Sequence, residues 1–131
     1  MKTHIFDIDG TIVDYHTNNW IDGAKELIVK LFNNGNQIIF ITMRDEIWSI
    51  ENTKNTILKE LDDLGIKYII LFNVSSPRII HDDSQIIIDR RRTNQKYDGN
   101  SHLLKKEDEY VHHWFAGEGI DWSKYNLNES I

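Results

Sequence analysis

The chain has 131 residues, 40% apolar and 11% aromatic, enough for one domain to bury a core; this excludes disorder for its bulk. With no cysteine there is no disulfide framework, no thiolate zinc site and no cysteine nucleophile. Against 21 acidic residues stand 15 Lys and Arg, a net charge of −6, so the molecule as a whole does not attract polyanions or anionic membranes and phosphate binding must be local.

From the N-terminus, Met1-Lys2-Thr3-His4 leads into a short stretch holding two aspartates, far from a signal core or the ~20 apolar residues of a membrane span. A soluble, cytoplasmic protein is the expectation. Residues 4–8 form the first apolar run and predict a strand. Ile21, Ala24, Leu27, Ile28, Leu31 and Phe32 then recur at helical spacing, with Asp22 as the expected N-cap and Asn34-Gly35 as the stop. Gln37-Ile38-Ile39-Phe40-Ile41 predicts the second strand. Ile47, Ile50, Ile57, Leu58, Leu61 and Leu64 predict a second amphipathic helix, opened by Asp45 and closed by Gly65.

Residues 68–72 predict the third strand, 78–81 the fourth and 85–88 the fifth; a last helix is expected from about 101 to 116. The runs are short, β-branched and continuous, as in strands covered on both faces of a parallel sheet. Strand and helix alternate, which requires right-handed crossovers. The expected fold class is α/β: a Rossmann-like three-layer sandwich, its mostly parallel central sheet of about five strands, in one domain spanning residues 1–131.

In an open parallel sheet ligands bind beyond the carboxyl ends of the strands. The residues at those ends are Asp7, Asp9, Gly10 and Thr11 after the first run, Thr42, Met43 and Arg44 after the second, and Asp82 and Asp83 after the fourth. Two carboxylates one residue apart at a strand end repel and call for a compensating cation or proton. Oxygen-only ligands favour Mg2+ over softer metals. With charge so balanced, one carboxylate can act as nucleophile and its neighbour as proton donor.

Asp7-Ile8-Asp9-Gly10-Thr11 after an apolar strand, Thr42 closing a second and Asp82-Asp83 closing a later one resemble motifs I, II and IV of the haloacid dehalogenase (HAD) superfamily of phosphohydrolases. The resemblance covers about residues 3–92. It implies an attack by Asp7 on phosphorus, proton donation by Asp9, and contact of Thr42 with the phosphoryl oxygens. It further implies Mg2+ held by Asp7, the Asp9 carbonyl, Asp82 and Asp83. About 23 residues separate the first motif from the second run, and Thr42 to Arg78 holds one predicted helix and strand, so neither insertion point has room for a cap domain. The lysine of motif III is not present just before Asp82; Arg78 is the expected substitute and Lys67 the fallback. Gly10, Thr11, Met43 and Arg44 are expected near the phosphate or substrate, with an ion pair of Arg44 to Asp45 or Glu46 as the alternative.

Several features carry structural readings. His81 is expected to be a packed, hydrogen-bonded histidine within its apolar run, His112-His113 to be structural or exposed, Arg90 to Arg92 to lie at a solvated strand end, and Trp114, Phe115, Trp122 and Tyr125 to cover the sheet or a second subunit, so that a homo-oligomer is possible. The expected function is a Mg2+-dependent phosphomonoesterase acting on a small phosphorylated metabolite, a sugar phosphate or nucleotide, with neither membrane nor nucleic acid as partner. The alternatives are a phosphatase acting on a polynucleotide end and a non-catalytic phosphate- or metal-binding module.

Overall fold

A computed structural model describes residues 1–14, 16–51, 57–82 and 123. The chain divides into two units, Met1–Arg78 and Ile79–Ile131. Six elements lie in the first unit: β1 (Thr3–Asp7), α1 (Ala24–Asn33), β2 (Gln37–Ile41), α2 (Glu46–Glu51), α3 (Ile57–Asp63) and β3 (Ile69–Leu71). The strands form a parallel α/β sheet in the order β1-β2-β3, with Asp7 level with Ile41 and Ile41 level with Leu71.

Right-handed crossovers between strands laid down in sequential order put every connecting helix on the same face. The core follows from this. Ile38 and Phe40 of β2 share one buried cluster with Ile28 of α1 and with Ile57, Leu58 and Leu61 of α3. Tyr68 meets Phe40 edge to face at 5.3 Å, and its phenol is pushed above its ordinary range, first by burial and then by the hydrogen bond and charge of Asp62. On the opposite face Ile5, Ile69 and Leu71 remain about half exposed. Among the described residues of the first unit, helices cover one face of the sheet.

Helix starts and stops depart from the sequence in two places. Gly23 occupies the N-cap of α1, with no side-chain cap, so Asp22 lies one residue too early for the role expected of it. The single predicted helix after Thr42 is two helices, α2 and α3, separated by residues 52–56, which lie outside the described residues. Asp45 does cap α2, its Oδ1 accepting from the Trp48 amide at 3.3 Å. Both expected stops have the same wiring. In α1 the amides of Gly35 and Asn36 bond the carbonyls of Phe32 and Leu31; in α3 those of Gly65 and Ile66 bond Asp62 and Leu61.

The fourth predicted strand does not form: residues 78–82 are irregular and pair in no ladder, and Ile79 and Ile80 are exposed. A strand exists only through its hydrogen-bonded neighbour, which an apolar run by itself does not supply. The fifth run at 85–88, Arg90 to Arg92, the helix expected at 101–116, His112-His113 and the aromatics Trp114, Phe115, Trp122 and Tyr125 lie outside the described residues. Among the described residues, no helix is long and apolar enough to cross a membrane.

Candidate functional site

β1 ends at Asp7, and the chain then winds into a tight loop around one carbonyl. The amides of Thr11, Ile12 and Val13 all converge on the Ile8 carbonyl at 3.0 to 3.2 Å, and the Gly10 amide reaches the Val13 carbonyl at 2.7 Å. Winding this tightly needs a left-handed residue at the second position, and Gly10 supplies it with φ +79°. Ile8, Ile12 and Val13 anchor the loop from below, each almost fully buried. Alternation along the chain therefore leaves Asp7 and Asp9 at the rim while Ile8 between them plugs the core.

Beyond the loop, Val13 bridges Asp9 on one side and Trp20 on the other. The turn between them carries Asn18 at φ +59° and is tightened by the Asp14 side chain, which accepts from the His16 amide at 2.8 Å. At its base Trp20 donates to Glu60 of α3, tying this excursion to the helical layer.

The loop after β2 is stitched to the loop after β3. The Thr42 amide donates to Leu71, the Val74 amide to the Thr42 carbonyl, and the Asn73 amide to the Arg44 carbonyl. Thr42 is 1% exposed, and its hydroxyl accepts from the Arg44 amide at 3.1 Å. This short turn aims Arg44 back across the sheet at Asp9. Nε donates to Asp9 Oδ2 at 2.8 Å and Nη2 to Asp9 Oδ1 at 2.5 Å, a bidentate fork. Nη2 also donates to Asn18 Oδ1 at 2.9 Å, and the guanidinium carbon lies 4.6 Å from the centre of the Trp48 ring.

Asp7 has its own arginine. Arg78 Nη1 donates to Asp7 Oδ1 at 2.7 Å while Nη2 donates to the Val74 carbonyl at 3.0 Å. The other oxygen, Oδ2, accepts from the Thr11 hydroxyl at 3.4 Å. Arg78 Nε is buried without a hydrogen-bond partner among the described residues. The two carboxylates are each about one-third exposed and the two arginines about one-fifth, so both pairs sit half in water, half against protein.

The structure thus brings Asp7, Asp9, Gly10, Thr11, Thr42, Arg44 and Arg78 together at the carboxyl end of the sheet. Met43 is exposed beside them. The alternative ion pair of Arg44 with Asp45 or Glu46 is replaced by the one with Asp9. Lys67 is exposed and precedes β3; it stands four residues before Leu71, the residue level with Asp7, so it lies roughly 13 Å further back along the strand direction, toward the other end of the sheet.

Asp82 is an exposed residue of the second unit, as is His81, which is therefore not packed as expected; Asp83 lies outside the described residues. Among the described residues no three His, Cys, Asp or Glu side chains gather as a metal group. Three partners escaped the sequence reading: Asn18, Trp48 and the Val74 carbonyl. Trp48 had a usable signal, since Arg44 and Trp48 are four apart at a helix start; Asn18 and Val74 had none.

Comparison with protein-family models, with curated proteins and with solved structures returned no match to this chain.

Proposed function

We propose that the protein is a phosphomonoesterase of the HAD type, working in the cytoplasm on a small phosphorylated metabolite through an aspartyl-phosphate. The observation that carries the reading is the pairing of two strand-end carboxylates with two arginines, Asp7 with Arg78 and Asp9 with Arg44, above a buried Thr42. A lone acidic loop would need no such arrangement. A site for a phosphoryl group needs cations and donors converging on a nucleophile, and phosphoryl transfer is catalysed mainly by such positioning and charge balance.

In this reading Asp7 attacks phosphorus through Oδ2, the oxygen not held by Arg78. The new bond is Asp7 oxygen to phosphorus; the bond that breaks is phosphorus to the ester oxygen, which takes a proton from Asp9. Asp9 then removes a proton from water, whose attack releases phosphate and restores the Asp7 carboxylate. Arg78 would hold phosphoryl oxygens, the Thr42 hydroxyl would offer its proton from the buried floor of the site, and Arg44 would release one oxygen of Asp9 for that oxygen to carry the proton.

The donor set of the first unit is oxygen only, which suits Mg2+: Asp7 and the Asp9 carbonyl would be its ligands there. When bound, the ion supplies charge neutralisation for the phosphoryl group.

A second reading has an observation of its own. Each acid already has a guanidinium, so the pair is charge-balanced by protein alone, as a non-catalytic phosphate-binding module would require. A panel of phosphomonoesters, including a 3′-phosphorylated oligonucleotide, assayed with and without Mg2+, decides between them. The expected result is Mg2+-dependent release of phosphate from small esters, abolished in Asp7→Asn because an amide does not attack phosphorus. Asp9→Asn should then hurt alkyl phosphates more than aryl phosphates, whose leaving groups need no proton. No release from any ester would remove the phosphatase, and release from the oligonucleotide alone would move the substrate to polynucleotide ends.

A further inference from the structure

The turn that follows Val13 reaches the site through Asn18, whose Oδ1 accepts from Arg44 Nη2 at 2.9 Å. The same nitrogen donates to Asp9 Oδ1. We propose that Asn18 is a positioning residue for the proton transfer: it holds the Arg44 guanidinium in place while one oxygen of Asp9 is released to carry the proton. The inference rests on the phosphatase reading above, in which Asp9 is the proton donor.

The turn closes through groups other than the Asn18 side chain. The Asp14 amide bonds the Asn19 carbonyl at 2.9 Å and the Asn18 amide bonds the Asp14 carbonyl at 2.7 Å. The Asp14 carboxylate takes the His16 amide, and the Thr17 hydroxyl takes the Asn19 amide at 3.3 Å. What the turn asks of position 18 is a left-handed backbone, φ +59°, which asparagine, aspartate and glycine adopt with least strain. Glycine would serve the turn as well. The amide is therefore surplus to the turn, and it is directed at Arg44.

Counting donors shows what it does there. Nη2 carries two hydrogens and has two acceptors, Asp9 Oδ1 and Asn18 Oδ1; Nε carries one hydrogen and donates it to Asp9 Oδ2. Giving up Oδ2 would strip Nε of that acceptor, and an unpaired donor is costly on a side chain only 22% exposed. Giving up Oδ1 leaves Nη2 bonded to Asn18, with the guanidinium carbon still 4.6 Å from the centre of the Trp48 ring. The Nη2 contact to Oδ1 is the shorter of the two, 2.5 against 2.8 Å, but the second acceptor lowers the cost of breaking it. Oδ1 is thus the oxygen that carries the proton. Its bond to hydrogen breaks, and the ester oxygen takes the proton as its own bond to phosphorus breaks. Without Asn18, freeing Oδ1 would cost Arg44 both bonds of Nη2.

The experiment compares the full-length chain with Asn18→Gly and Asn18→Asp on glycerol 2-phosphate, whose alkoxide needs the proton, and on p-nitrophenyl phosphate, whose phenolate does not. In Asn18→Gly, kcat on glycerol 2-phosphate should fall on the order of tenfold, as for loss of a hydrogen bond to a charged group. KM for both esters and kcat on p-nitrophenyl phosphate should stay near the parent values. Asn18→Asp suits the same backbone, returns an acceptor to Nη2 and should restore the lost turnover. Parent rates in Asn18→Gly, losses shared equally by the two esters, or a failure of Asn18→Asp to restore turnover would overturn the inference and leave the phosphatase standing. A second measurement needs no ester: solvent exchange of the Arg44 Nε–H, followed by NMR and assigned with Arg44→Lys. It should quicken by roughly threefold or more in Asn18→Gly and return to the parent rate in Asn18→Asp. Unchanged exchange would also overturn the inference. The expected exchange in a parent chain that hydrolyses no ester would remove the phosphatase and leave Asn18 as the anchor of Arg44.

Discussion

The contact between Asp7 and Arg78 can be weighed without any assumption about function. Two unit charges ~4 Å apart attract by about 4 kcal/mol at an effective dielectric of 20. Most of that is offset by stripping water from both groups: fully exposed pairs retain ~0.2 to 1 kcal/mol, and breaking a fully buried pair costs ~3 to 5 kcal/mol. With the N–O distance at 2.7 Å and side-chain exposures of 20% and 34%, this pair lies between those limits. The second hydrogen bond, to the Val74 carbonyl, fixes the arginine in place and lowers the entropy that forming the pair would otherwise cost.

A double-mutant cycle of Asp7→Asn, Arg78→Ala and the combined variant should therefore give a coupling of about 1 to 2 kcal/mol in urea unfolding. Unequal single effects are expected. Arg78→Ala leaves a carboxylate that water can still reach, whereas Asp7→Asn leaves a guanidinium whose Nε is already buried and unpaired. Raising the salt from 0.05 to 0.5 M should shrink the coupling only in part, because the pair is half shielded from ions. A coupling below about 0.3 kcal/mol at low salt would show that the contact does not persist in solution and would remove Arg78 from the site.

Two further outcomes test other parts of the structure. The unfolded chain releases a tyrosine proton near pH 10 while the folded chain, holding Tyr68 above that range, keeps it. Above about pH 10 the unfolded state then binds fewer protons than the native one, so stability should fall as pH rises. Tyr68→Phe should melt lower than the parent at pH 8 and close the gap by pH 11; parallel curves for the two would contradict the burial of this phenol. Gly10→Ala should cost ~1 to 2 kcal/mol from backbone strain alone, because a Cβ there meets no atom within 4 Å and only the positive φ opposes it. Gly10→Asn should cost less, and a loss above ~3 kcal/mol in urea unfolding would mean that a side chain collides after all.

The two ion pairs also bear on how the acidic loop is tolerated. Asp7 and Asp9 are two residues apart on one rim, and each is offset by its own guanidinium. Their arginines come from different strand ends, Arg44 from the loop after β2 and Arg78 from the segment after β3. The site is thus a consequence of stitching those two loops together through Thr42, Asn73 and Val74. A change that loosens this stitching, remote from any charge, displaces both cations at once.

Local signals in the chain determined the alternation of strand and helix through β3, the stops at Gly35 and Gly65 and the place of the acidic pair at a strand end. Each depends on contacts within a few residues: helical periodicity, a left-handed glycine, a β-branched run. Three things were decided only by tertiary structure. Which face of the sheet is covered follows from strand order, since sequential right-handed crossovers put both helical connections on the face of Ile38 and Phe40 and leave Ile5, Ile69 and Leu71 half exposed. Residues 78–81 read as a strand because of Ile79 and Ile80, yet pairing needs a partner in the fold. The choice of Arg78 over Lys67, and of Asp9 over Asp45 as the partner of Arg44, depended on which end of the parallel sheet each cation reaches. Spacing along a chain does not carry that distance; register between strands does.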